Sequence, residues 1–281
     1  MIRAAVTRFA PLLVAPRLLV VGLLVAGLLT AGPIAAPPIQ AAESELPVEV
    51  EADNGIEWLR DQNMYVARGN AKAIRGDVTI NADTLTALYR ETDSGGLDIF
   101  RLEALGHVIV STPQREARGD RGVYDVDRGV VVMVGKDLHL RTETDLITAN
   151  DSLEYWEKEQ IAVARGNAVA QRLKNRIRAD ALTARFVETK EGALDVSRVD
   201  AVGNVVITTP REVARGSKGV YYVAKGIATL DGDVRITRGA NQLSGEAAEV
   251  NLRTGVSRLV PGKGKTNTRV RGLFRPKRGK K

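Results

Sequence analysis

The sequence predicts an all-β chain, built as an elongated stack of repeats: a β-solenoid-like stack or an extended β-jellyroll. An ungapped internal repeat, evenly spaced glycines and period-two alternation of apolar residues carry this prediction.

The repeat has an offset of 97 residues. Val66-Ala67-Arg68-Gly69-Asn70-Ala71 returns as Val163-Ala164-Arg165-Gly166-Asn167-Ala168. Ala82-Asp83 and Leu85-Thr86-Ala87 return as Ala179-Asp180 and Leu182-Thr183-Ala184. Thr112-Pro113, Ala117-Arg118-Gly119 and Gly122-Val123-Tyr124 return as Thr209-Pro210, Ala214-Arg215-Gly216 and Gly219-Val220-Tyr221. Two copies of one unit account for this. Their expected bounds are 43–162 and 163–260, with a leader over 1–42 and a tail over 261–281.

A finer spacing lies inside each copy. A Gly followed by a polar residue and an apolar strand occurs at Gly69, Gly106, Gly135, Gly166, Gly203 and Gly232, at intervals of 37, 29, 31, 37 and 29 residues. These pairs read as the turns between short strands.

Between the glycines, apolar and polar residues alternate. Val48 and Val50 stand against Glu49 and Glu51, Val78 and Ile80 against Asp77 and Thr79, and Tyr124 and Val126 against Asp125 and Asp127. Parity places Val48, Val50, Val78, Ile80, Val108, Val110, Tyr124 and Val126 on the interior face. Val205, Ile207, Tyr221 and Val223 stand for them in the second copy. Such residues either pack into a closed core or line a trough. Ala179 to Val187 is the best helix candidate, but its counterpart Ala82 to Tyr89 continues a strand, so both read as strands.

The N-terminus reads as an export signal. Arg3, Arg8 and Arg17 precede the apolar run Leu18 to Ala31, then Pro33, Pro37 and Pro38, then Ala41 and Ala42. A basic start, an apolar centre and a small-residue exit make a cleaved signal peptide, with the mature chain starting near Ala42. The uncharged run is also long enough to be an uncleaved anchor.

The chain has no cysteine, which excludes a lipoprotein and a disulfide scaffold. The net charge is +7, but the leader supplies +3 and the tail +9, which leaves −5 on the body. A mildly acidic body argues against nucleic acid as a partner. The tail from Pro261 has no acid, so its cations repel and it is expected to be disordered, either as a solubilising tail or in contact with an anionic phosphate.

No catalytic constellation is present. The two histidines, His107 and His139, have no cysteine or second histidine at ligand spacing, and neither a Gly-x-Ser-x-Gly motif nor a phosphate loop occurs. They read as exposed or turn-side strand residues. Asp and Asn beside glycines, as in Asp231-Gly232-Asp233, read as turn chemistry, and the Arg-Gly pairs as solvated punctuation. The chain is expected to be no enzyme and to hold no metal or cofactor.

Pro47-Val48-Glu49-Val50-Glu51-Ala52-Asp53, Gly69-Asn70-Ala71 and Ile80-Asn81-Ala82-Asp83 resemble the start of the LptA/OstA-like domain. Gly122 to Val126 followed by Val131 to Gly135 resembles that family's next block, and Arg269 to Phe274 is similar to the ends of some members. The resemblance covers Leu46 to Leu259. It implies a twisted, open-edged β-jellyroll that binds lipopolysaccharide in the periplasm and serves outer-membrane assembly. The lipid A acyl chains would lie along the twelve interior residues named above. The resemblance also implies end-to-end stacking between an inner-membrane-anchored partner and an outer-membrane component. The clear duplication and the very basic tail depart from the family. Three alternatives stand beside this reading: a membrane-anchored bridge subunit of the same system, an exported β-solenoid acting on or binding polysaccharide, and an adhesive solenoid.

Overall fold

The structure is a computed structural model that describes residues 48–93, 95–190, 194–260 and 270–275. The leader expected over 1–42 and most of the tail lie outside the described residues.

Antiparallel strands joined in one continuous sheet make up the fold. Two short strands come first, β1 (Glu49–Glu51) and β2 (Ile56–Leu59). Four long ones follow: β3 (Met64–Arg75), β4 (Val78–Glu91), β5 (Leu97–Thr112) and β6 (Arg115–Asp125). Then come β7 (Val130–Val134), β8 (His139–Thr142), β9 (Asp145–Thr148) and β10 (Ser152–Trp156). The next four are β11 (Ile161–Arg172), β12 (Asn175–Glu188), β13 (Leu194–Thr208) and β14 (Val213–Tyr222). The chain ends in β15 (Ile227–Arg238), β16 (Asn241–Asn251), β17 (Val256–Val260) and β18 (Arg271–Leu273). The starts of β11, β12 and β13 fall 97 residues after those of β3, β4 and β5. The weak helix candidate Ala179 to Val187 lies within β12.

The strands are longer than alternation alone suggests, because each long strand belongs to two walls. The register jumps between Arg68 and Ala71, Leu105 and Val108, Arg165 and Ala168, Val202 and Val205, and Asp231 and Val234. A Gly-polar pair sits at every jump. Gly69 and Asn70 have φ of 79° and 43°, and Gly203 and Asn204 have 77° and 48°. Two successive left-handed residues insert a bulge and turn the strand from one wall into the other. The Gly-polar pairs are therefore corners within strands, not turns between them, which corrects the sequence reading.

The acids have a matching role. Asp83, Asp151 and Asp180 do not serve their own turns; each lies under the corner of a neighbouring strand. A Cβ on Gly106 would fall 2.0 Å from Asp83 Oδ2, and one on Gly203 would fall 2.1 Å from Asp180 Oδ2. The Asn204 amide donates to Asp180 at 3.0 and 3.1 Å, and His107 Nδ1 lies 2.9 Å from Asp83.

One corner is open. Gly135 is followed by Lys136, and Gly135 is extended at φ 159°. Asn, Asp and His tolerate the left-handed region and lysine does so far less readily, so here the strand splits into β7 and β8. The second copy has Gly232-Asp233 at this place, and β15 runs through unbroken.

Wall A contains β2, β7, β10 and β17, and wall B contains β1, β8, β9 and β18. The long strands cross both. Disorder does not hold for the tail segment 270–275. β17 pairs only with the wall A half of β16, which leaves Gln242–Ser244 for β18 to cover in wall B. Along the corners the walls close on small residues: Ala71, Ala82, Ala168 and Ala179 are buried, with Val108, Val205 and Val234.

Candidate functional site

The walls face each other, and three cross-strand rows of side chains run between them along the molecule. In wall B, pairing links Val50 to Ala73, Ile80, Val110, Ala117, Leu140 and Ile147 in turn. The same row continues through Ala170, Ile177, Ile207, Ala214, Ile236 and Leu243. No polar residue interrupts it.

Wall A carries two rows. The one nearer the corners mixes large and small apolar residues: Leu85, Ala104, Gly122, Met133, Leu153, Ala164, Leu182, Ala201, Gly219, Leu230, Ala248. The outer one holds the aromatics: Trp58, Tyr65, Tyr124, Tyr155 and Tyr221, separated by Ala, Val and Leu. Period two in each strand and direct pairing between strands force this continuity, since neighbours in register point the same way.

Away from the corners the walls part. A groove of about 400 Å³ opens between them, lined by Val110 and Ala117 of β5 and β6, Ile147 and Leu153 of β9 and β10, and Ala170 and Ile177 of β11 and β12, among others. It spans the junction between the two sequence copies. Beyond it, Leu230, Ile236 and Val250 are buried and the walls close.

Of the residues expected inside, Val110, Ile207, Tyr221 and Val223 line this groove. Val50, Ile80 and Tyr124 stand in its rows toward the N-terminal end. Val108 and Val205 are each 1% exposed and belong to the packed corner line. Val78 begins β4 beside the β3–β4 turn, and Val48 precedes β1 and is 53% exposed. β6 ends at Asp125 and β14 at Tyr222, so Val126 and Val223 sit in turns and not on strand faces. This corrects the pairing of Val126 with Tyr124 on one strand. Asp127, in the same turn, holds Arg90 at 2.8 Å. The sequence reading missed Ile147, Leu153, Tyr155 and Ile177. The 97-residue offset finds them as the counterparts of Val50, Ile56, Trp58 and Ile80.

The electrostatics sort by depth. Inside, burial, aided by Glu157, pushes the Tyr124 phenol up to about 12, and burial also raises that of Tyr221. At the rim of wall B, the Asp145 carboxylate takes a two-point contact from Arg172 at 2.6 and 2.7 Å and the Thr144 hydroxyl at 2.7 Å. Glu212 takes Arg238 at 2.7 Å and the Ser257 hydroxyl.

These features define an open-edged β-jellyroll whose walls enclose an apolar groove with an ionic rim. Residues 49–151 and 146–256 each match the family described as LptA/(LptD N-terminal domain) LPS transport protein, and the chain belongs to that family. It is 28% identical over 98 residues to an uncharacterised protein of Rhizobium meliloti. That match covers 34% of this chain and 52% of the relative, so the chain spans about half of that protein's length. Among solved structures it is similar to LptH of Pseudomonas aeruginosa, described as the LptA-homologous periplasmic component of the lipopolysaccharide transport device. The identity is 19% and the TM-score 0.41, over 47% of this chain and 95% of LptH.

Proposed function

We propose that this chain is a periplasmic lipopolysaccharide carrier that bridges the inner and outer membranes. Residues 43–162 and 163–260 are its two repeat units. The observation that carries this reading is the unbroken apolar row from Val50 to Leu243. An acyl chain of about a dozen methylenes costs on the order of 10 kcal/mol to expose to water, at ~0.8 per methylene. Lipid A bears several such chains, so its passage through water needs apolar cover at every point. Two walls with uniform parity supply that cover, and a row without polar stops lets a chain slide. The lipid-facing set is Val50, Ile80, Val110, Tyr124, Ile207, Tyr221 and Val223, extended by Ile147 and Ile177. Val108 and Val205 support the walls from behind.

The chain acts by binding and not by catalysis, and the energy for movement comes from its partners. Mass spectrometry of lipid co-purified from cells tests the reading: lipopolysaccharide retained by the folded protein supports it. A folded protein that carries none, and that takes up none when purified lipopolysaccharide is added, contradicts it.

Assembly follows from the edges. Among the described residues, β1 and β2 at one end are paired with β3 alone, and β17 and β18 at the other with β16 alone. Val50, Ile56 and Trp58 are exposed at the first end, and Val256, Leu273 and Phe274 at the second. Open edges recruit strands, so copies stack end to end and the apolar rows continue from one to the next. Val50→Pro removes a ladder donor and should shift the chain toward monomer. Light scattering coupled to size exclusion reads this out; an unchanged mass distribution would show that the stack does not form through β1.

A further inference from the structure

Arg115 stands at the rim where the second copy, 97 residues on, carries the opposite charge. In the second copy its place is taken by Glu212, which is buried and bonded to Arg238 and Ser257. In the first copy the residue is arginine, and the residue across from it is Thr142, not an acid. Asp145, further along the same rim, is already held by Arg172 and Thr144. Glu154, which also borders the groove, is held by Arg165 at 2.7 Å. Asp195 borders it from the second copy's β13. The Arg115 guanidinium makes no hydrogen bond or ion pair among the described residues.

The side chain is nevertheless half-buried and lines the groove. Burial pushes its pKa down, while Tyr155 of the opposite wall acts on it in the other direction. A guanidinium keeps its charge under such pressure, because its ordinary pKa is so high. A desolvated cation without a partner is costly, and the cost is relieved by an anion that arrives with the ligand. The planar fork suits a phosphate, which it can grip through two parallel hydrogen bonds.

We propose that Arg115 is the anion-recognition point of the groove, gripping a headgroup phosphate of the amphiphile whose acyl chains lie on Val110, Ile147 and Ile177. This rests on the lipid-carrying reading above. It adds that the groove holds its ligand in one orientation, chains inward and phosphate at the β6 rim.

The test compares phosphorylated lipid A with the same lipid A after enzymatic removal of its phosphates. Full-length mature wild type, Arg115→Ala and Arg115→Lys are used, and matching thermal unfolding midpoints show that the variants are folded. The expected result is that Arg115→Ala loses about ten- to hundredfold in affinity for the phosphorylated lipid and none for the dephosphorylated one. Arg115→Lys keeps the charge but not the fork and falls between. Equal affinity of wild type and Arg115→Ala for the phosphorylated lipid would overturn the assignment while leaving the carrier reading intact. Equal loss for both lipids would also overturn it, since the residue would then be supporting the groove. Binding of neither lipid by wild type would overturn both readings. Inorganic phosphate is the final arm. If millimolar phosphate binds wild type through Arg115, and the alanine variant still binds both lipids as wild type does, the site is one for free phosphate and the headgroup assignment fails.

Discussion

Replacing Gly203 by alanine should lower the unfolding free energy by about 2–4 kcal/mol. Two costs add. Gly203 has φ of 77°, and an L-residue held there costs roughly 1–2 kcal/mol. The new methyl would also occupy the space of the Asp180 carboxylate, which lies 2.1 Å from the Cβ position. Displacing it breaks the contacts from the Asn204 amide, worth about 1 kcal/mol each. Gly239 separates the terms: its φ is 57°, yet a Cβ there meets nothing within 4 Å. Gly239→Ala should therefore show only the backbone cost. Urea denaturation of the two variants, with Asp180→Ala added to Gly203→Ala, reads the difference. If both glycine variants lose equally, the carboxylate under the corner contributes nothing.

Ala170→Trp should abolish lipid binding and leave the fold nearly as stable as before. Ala170 lies in the wall B row between Ile147 and Ile177 and lines the groove, so an indole there fills space that a ligand needs. Two residues earlier, Ala168 is 0% exposed at the corner line. Overpacking a closed core costs about 1–3 kcal/mol, often more for a change of this size. Ala168→Trp should therefore destabilise strongly, while Ala170→Trp changes the denaturation midpoint little. Equal destabilisation by the two would mean that the walls are closed at Ala170 and that no groove exists there.

Much of this architecture is written in the sequence at the level of parity. The alternation around Val110 and Ile207 places them inward, and both line the groove. The 97-residue offset carries that reading from Ile80 to Ile177. The corners were misread for a physical reason. A Gly-Asn pair supplies the same positive φ values to a two-residue hairpin and to a bulge, so local chemistry does not separate the two. What separates them is the partner: Asp180 under Gly203 comes from the adjacent strand, 23 residues away, and no local pattern announces it. Val126 was misplaced because alternation ran past the end of β6; Asp125 caps the Arg128 amide at 2.9 Å and closes the turn there. The rim pairs Asp145–Arg172 and Glu212–Arg238 join residues 27 and 26 apart, and only the register between paired strands brings them together.

The carrier reading depends on which face of each strand meets lipid, and photo-crosslinking in living cells measures that directly. A photoreactive residue at Val110 or Ile147 faces the groove, while one at Ser111 or Leu146 stands on the outer face of the same strand. Capture of lipopolysaccharide at 110 and 147, with none at 111 and 146, is the predicted result. Equal capture at inner and outer positions, or capture at 111 and 146 alone, would contradict it.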